Sequence, residues 1–198
     1  MVNFKLFDKW DTSKIVVEDH GLKAYVNLSP ILVPKSSGRN RQRFWKSKNN
    51  IVERLMNKLQ VPGHKGKKHK ITSGHCTGKG GSVYNIVKKT FETVEKKTNL
   101  NPVQVFVKAL ENAAPREEIT TIEYGGAKYP QAVDCAPQRR VDIALRQFVQ
   151  GSYNKSFDSK IKIDEALANE IINAYNLDQA SQAISKKLEL ERQADSSR

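Results

Sequence analysis

Cysteine is nearly absent, with two residues in 198. Two thiols in a chain of this length form no disulfide framework, and a reducing compartment is the default expectation. No apolar run approaches the roughly 18 residues that a membrane-spanning helix needs. Residues 1–11, MVNFKLFDKWD, carry charges where a secretory leader would be apolar, which argues against export. Aromatic residues are only 8% of the chain, while 28% is charged. That balance suits a half-solvated, helix-rich protein of one domain, two at most, with a real core.

Acids are scarce where bases are dense. Residues 35–89 hold fifteen Lys or Arg and a single acid, Glu53. This window accounts for the net charge of +13, and the rest of the chain is close to neutral. Residues 164–195 even reverse the sign, with seven acids against three bases. Solvation alone favours mixed signs, whereas blocks of one sign repel and act as interaction arms. The expected partner is a polyanion, nucleic acid ahead of an anionic membrane.

Two sub-blocks carry the excess. In the first, Lys35, Arg39, Arg41, Arg43, Lys46 and Lys48 surround Phe44 and Trp45. The cations suit phosphates, and an aromatic ring can stack on an unpaired base. Trp45 serves equally well as an anchor onto the core. The second block, His64, Lys65, Lys67, Lys68, His69 and Lys70 with Lys79 beyond it, is Gly-rich and lacks an apolar period. A loop that orders on its partner is expected.

Apolar spacing places helices along most of the chain. Residues 1–30 read as extended segments. Ile51, Val52, Leu55, Met56 and Leu59 form one helical face. Ser82 is a candidate cap for a helix with Val83, Ile86, Val87, Phe91 and Val94 inside. Asn101-Pro102 pairs a cap with proline at the first helical position. Pro137 opens a helix predicted to end before Gly151. Asp164-Glu165 starts another, and the last spans about 179–194. Residues 119–124, Gly125-Gly126 and 127–135 predict a β-hairpin, because a type I′ turn needs φ > 0 at both central positions. A lone ribbon is marginal in water, so it reads as an arm resting on something else. The expected fold class is mainly α: a helix bundle with one protruding β-hairpin arm (about 118–135). Its domain organisation is an extension with the basic arm at 1–49 and a helical domain at 50–198.

Candidate chemistry is weak. The stretch from Gly74 to Ser82 resembles a phosphate loop but has three residues between Gly74 and Gly78 where four are needed. His64, His69, His75 and Cys76 lack zinc-finger spacing and sit among lysines that repel a cation. Cys135 suits a small buried position at the base of the hairpin. No catalytic residue, cofactor or metal is expected. Gln138-Arg139-Arg140 is more informative. Pro137 puts these residues in a first helical turn, and Ala136 offers no capping oxygen. Cations are disfavoured there, and a phosphate would satisfy free amides and guanidinium groups together. Pairing with Asp134 or Asp142 is the competing expectation. Arg54 and Lys58 form a like-charge i,i+4 pair that also suits an opposing anion.

The stretches IVERLMNKL, NPVQVFVKALENAAPREE, YGGAKYPQAVDCAPQRRVDIALRQF and KKLELER resemble the small-subunit ribosomal protein seven family, in its archaeal form. The resemblance covers essentially the whole chain. It implies a helix bundle with a β-ribbon and a noncatalytic role. It further implies binding to the 3′ major domain of small-subunit rRNA, organisation of the subunit head, and a position by the tRNA exit site and mRNA exit path. Carried over by motif, Arg39 through Lys48, then Arg54, and Arg139 with Arg140 face rRNA. Arg116, within NAAPREE, joins this set. The ribbon tip, Tyr124, Gly125, Gly126, Ala127, Lys128 and Tyr129, faces tRNA and mRNA. The last helix neighbours small-subunit proteins nine and eleven. The segment VPGHKGKKHKITSGHCTGKGG is longer than in bacterial members, so its lysines rest on charge alone. The rival readings are a free-standing RNA-binding or regulatory protein and an RNA-processing enzyme.

Overall fold

Helix α4 (Pro102–Ala113) starts as its sequence dictates. The Asn101 side-chain oxygen accepts from the Val103 amide at 3.0 Å, and Pro102 fills a position whose missing N–H costs nothing. Asn50 caps α2 (Ile51–Leu59) through Val52 in the same way, at 2.9 Å. The computed structural model describes residues 4–34, 40–65, 68–69 and 74–198; at 64–65 and 68–69 it describes the backbone alone. In chain order the remaining helices are α1 (His20–Lys23), α3 (Gly80–Thr98), α5 (Pro137–Ser156), α6 (Ile163–Tyr175) and α7 (Gln182–Asp195), with a 3-10 turn at Trp45–Lys48. None of the described helices is long and apolar enough to cross a membrane.

Helix α6 packs against α3, α4 and α5 through Leu167 and Ile171, both fully buried. Aromatic rings continue the core across the bundle. Phe91 meets Phe106 at 5.9 Å between centroids, and Phe106 meets Phe148 at 6.3 Å. The N-terminal segment differs from its expected extended form. Leu6, Phe7, Trp10, Leu22 and Val26 are buried in this same core. Phe7 lies edge-on to Trp10 and to Phe91, so the segment folds as tight turns that insert rings between helices.

Three predicted boundaries move. Helix α3 begins at Gly80, ahead of Ser82, because the Gly74–Lys79 turns run straight into it and the Val83 amide bonds Lys79 O at 3.2 Å. Helix α5 runs through Gly151 instead of ending there. A Cβ at Gly151 would lie 2.8 Å from the Glu170 carboxylate and 3.0 Å from Gln182 Cβ, so this glycine permits close approach of α6 and α7. Gly151→Ala is therefore expected to cost about 1–3 kcal/mol, read as a lowered denaturation midpoint. Helix α7 starts at Gln182, leaving Ala180 outside. Its first amides, Gln182 and Ala183, are capped by Glu170 from α6 and not by a residue of their own segment.

The main ribbon pairs β3 (Glu117–Tyr124) with β4 (Ala127–Asp134), in register from Glu117↔Asp134 to Tyr124↔Ala127. Earlier in the chain, β1 (His64–Lys65) and β2 (Lys68–His69) form a two-rung antiparallel ladder where a loop was expected. At the β3–β4 tip, Gly125 and Gly126 have φ of +59° and +79°, the backbone that residues with a Cβ avoid. The base of the ribbon packs on α7, while its outer half is exposed on both faces. The ribbon is thus an arm that protrudes from a helical body.

Candidate nucleic-acid interface

The crossing of α2 and α5 gathers four cations around one carboxylate. Arg54 is 5% exposed, and its guanidinium donates to Tyr25 O at 2.9 Å and to Asp142 at 3.1 Å. Lys46, on the 3-10 turn, donates to the other Asp142 oxygen. Lys58, one turn beyond Arg54, and Arg146, one turn beyond Asp142, complete the group. Burial pushes the Asp142 pKa up, but the Lys46 hydrogen bond and the Arg54 charge outweigh it and hold it below the usual value. Burial lowers the Lys58 pKa, and Arg146 lowers it further, against the opposing pull of Asp142. Among the described residues, the single carboxylate that these cations engage carries less charge than they do.

Ahead of this cluster, Arg41, Arg43 and Lys48 are exposed. The Arg43 guanidinium lies 5.6 Å from the Phe44 ring centre, and the Lys48 ammonium 5.4 Å from that of Trp45. Phe44 is 65% exposed, whereas Trp45 is half-buried and lies outside the main core cluster. Lys79 is exposed at the start of α3. Lys35, Arg39, Lys67 and Lys70 lie outside the described residues. Lys65 and Lys68 are placed only by the backbone of the small β1–β2 ladder.

The two adjacent arginines separate. Arg140 is 8% exposed and donates to Pro115 O at 3.0 Å and Asp19 at 2.8 Å. Arg139 projects outward and donates to Glu118 of β3 at 2.6 Å. The intramolecular partners are thus Asp19 and Glu118, not Asp134 or Asp142. The α5 N-terminus points its residues at two other segments, which sequence neighbours cannot reveal. Cys135 is buried beside the Arg139–Glu118 pair; burial first, then Glu118, pushes its thiol pKa up to about 11. Ala136 provides no side-chain cap for α5. Gln138 is 7% exposed, and its side-chain nitrogen and oxygen have no hydrogen-bond partner among the described residues.

Arg116 is exposed at the base of the ribbon, with its backbone amide donating to Glu191 at 3.1 Å. At the far end Tyr124 is 82% exposed and Tyr129 57%, flanking exposed Gly125, Gly126, Ala127 and Lys128. The sequence reading missed Arg146. Its signal was present: Arg139, Asp142 and Arg146 follow at i, i+3 and i+7, which is one face of a helix.

Clustered cations on a helical body, beside an arm tipped with exposed rings, define a docking protein. The comparisons agree with that class. Residues 30–198 match the family model described as Ribosomal protein S7p/S5e. The chain is 57% identical to the small ribosomal subunit protein uS7 of Nanoarchaeum equitans, over 198 residues and the full length of both. It is 47% identical to the uS7 proteins of Methanosphaera stadtmanae, over 98% of this chain and 99% of that one, and of Methanococcus aeolicus, over the full length of both. The chain belongs to the ribosomal protein S7p/S5e family, in its archaeal form. That family is structural and non-enzymatic, which removes the RNA-processing reading.

Proposed function

We propose that this protein is a structural constituent of the small ribosomal subunit in the cytoplasm, that it binds rRNA of the 3′ major domain, and that it organises the subunit head. The observation that carries this reading is the α2–α5 cluster. Lys58 and Arg146 reach the surface beside an Asp142 whose two oxygens Arg54 and the partly exposed Lys46 already engage. A backbone phosphate there supplies the missing negative charge and replaces lost hydration with charge-assisted hydrogen bonds. The exposed Arg41, Arg43 and Lys48 extend the same track, with Phe44 available for stacking.

At the start of α5, uncapped amides and Arg139 support a second phosphate contact. Arg54 and Arg140 have a different task. They are buried and hold the segments that present the outer cations. The ribbon tip is the arm that lines the path of exit-site tRNA and mRNA, with Tyr124 and Tyr129 as its contact surfaces. The last helix faces the neighbouring small-subunit proteins nine and eleven.

The test is filter binding to a head-domain rRNA fragment across a salt series. Lys58→Ala with Arg146→Ala is expected to weaken binding roughly tenfold and to flatten the log K against log salt slope by about 2, one per phosphate contact. Unchanged affinity and slope would remove the cluster from the interface. A free-standing regulator of DNA would instead lose its RNA to excess duplex DNA, whereas a reader of RNA shape keeps it.

A further inference from the structure

A cavity of about 420 Å³ opens between the end of α2, the start of α3 and the Val33-Pro34 segment. That volume lies within the roughly 300–1,000 Å³ of small-ligand sites. Pro34, Met56 and the Tyr84 ring supply apolar walls, and the side-chain amides of Asn57 and Gln60 supply polar ones. On the reading that RNA is the partner, we propose that this cavity takes one unpaired base of that RNA, an adenine, with Tyr84 as its stacking surface and the Asn57 and Gln60 amides reading its edge.

The walls are set by the chain's own bonds. Tyr84 leans on Phe7, with ring centres 4.8 Å apart and planes tilted by 54°. The Phe7 amide donates to Leu32 O at 3.2 Å, so the same residue fixes the ring and the segment that carries Val33 and Pro34. Thr77 Oγ1 donates to Gln60 O at 3.5 Å, which ties the turn before α3 to the end of α2. A cavity built in advance loses little freedom on binding.

The two amides are not spent on this fold. Asn57 is exposed, Gln60 is half-buried, and among the described residues neither side chain has a hydrogen-bond partner. An aliphatic side chain from another protein would bury them unpaired, which disfavours it. A base satisfies them. A side-chain amide donates to adenine N7 and accepts from N6, while the base stacks on an aromatic face.

The mouth suits the sugar–phosphate chain that carries such a base. Among the described residues no acid lines the cavity, and Lys79 is exposed at its edge, between Gly78 and Gly80. Gly81 follows inside α3, where glycine is a poor helix former. A Cβ there would meet nothing of this chain within 4 Å. Its absence leaves room for a close neighbour from outside, and the exposed Lys79 makes an anion the fitting one.

The test follows the Met56 methyl signal of the full chain by NMR during titration with penta-adenylate, penta-uridylate and an abasic ribose-phosphate chain of the same charge. The adenylate is expected to shift Met56 with an affinity at least tenfold above the uridylate, and the abasic chain to leave it in place. Asn57→Ala with Gln60→Ala removes only unpaired amides, so the variant should melt with the parent yet bind both oligonucleotides equally. Gly81→Ala should melt no earlier than the parent and bind the adenylate about threefold more weakly. Equal shifts from adenylate and uridylate, displacement of the adenylate by a leucine-rich peptide, or a silent Met56 while a head-domain rRNA fragment binds with its full salt slope would each overturn the base pocket and leave the RNA-binding reading standing. Failure of that fragment to bind would remove both.

Discussion

Arg140→Ala is expected to lower the melting temperature by roughly 6–12 °C, while Arg139→Ala leaves it nearly unchanged. Arg140 is buried and holds Pro115 O and Asp19 together. Removing the buried guanidinium leaves Pro115 O unpaired and takes the cation from Asp19, which is itself partly exposed, at a cost of about 3 kcal/mol for the lost charge-assisted hydrogen bonds. In a domain of this size each kcal/mol moves the midpoint by about 2–4 °C. The Arg139 side chain is 56% exposed, and a surface bridge such as its pair with Glu118 contributes about 0–1 kcal/mol. Calorimetry of the two single variants separates the roles. RNA affinity should respond in the opposite order, falling with Arg139→Ala once the destabilised Arg140 variant is compared well below its midpoint. Equal melting of both variants would show that the Asp19 contact carries no load.

Glu170→Ala is expected to have the second large effect, about 3 kcal/mol, localised to one end of the molecule. The Glu170 side chain is fully buried. It accepts from Ser181 Oγ at 3.0 Å, the Gln182 and Ala183 amides, and Lys155 Nζ at 2.7 Å. These bonds cap α7, and α7 supports the base of the β3–β4 ribbon. Hydrogen exchange should therefore quicken in α7 and the ribbon base, with α2 and α3 still protected. Glu170→Gln keeps the shape and part of the cap, so it should recover about half of the loss. Exchange that quickens evenly through the bundle would refute a local role for Glu170.

Much of the bundle was legible because its signals are local. Asn101-Pro102 specifies its own cap and first turn, and the alternation of Val, Phe and Leu at helical spacing marks the buried face of α4. Gly125-Gly126 specifies the tip of the ribbon in the same way. The failures share a physical cause: the deciding partner is distant in sequence. Gly151 looks like a helix terminator until Glu170 and Gln182 are brought against it. The start of α7 is set by Glu170, twelve residues upstream of Gln182 and on another helix. The N-terminal turns lack any period, so the insertion of Phe7 and Trp10 between helices leaves no pattern to read.

The candidate site divides along the same line. Composition located the cationic window and the arm, since a surplus of one sign is visible without a fold. It did not distinguish buried arginines from outward ones. Arg54 and Arg140 are spaced like surface cations but are drawn inward by Asp142 and Asp19. Arg146 lies outside the window; its place on one helix face with Arg139 and Asp142 was legible, but its partners on α2 were not.

The central claim is that the unbalanced cations of this surface are completed by RNA phosphates. Its most direct test is the salt dependence of binding between the intact chain and the 3′ major domain of small-subunit rRNA. With about eight phosphates neutralised, log K should fall against log salt with a slope of roughly −6 to −7. A slope near zero would contradict the account.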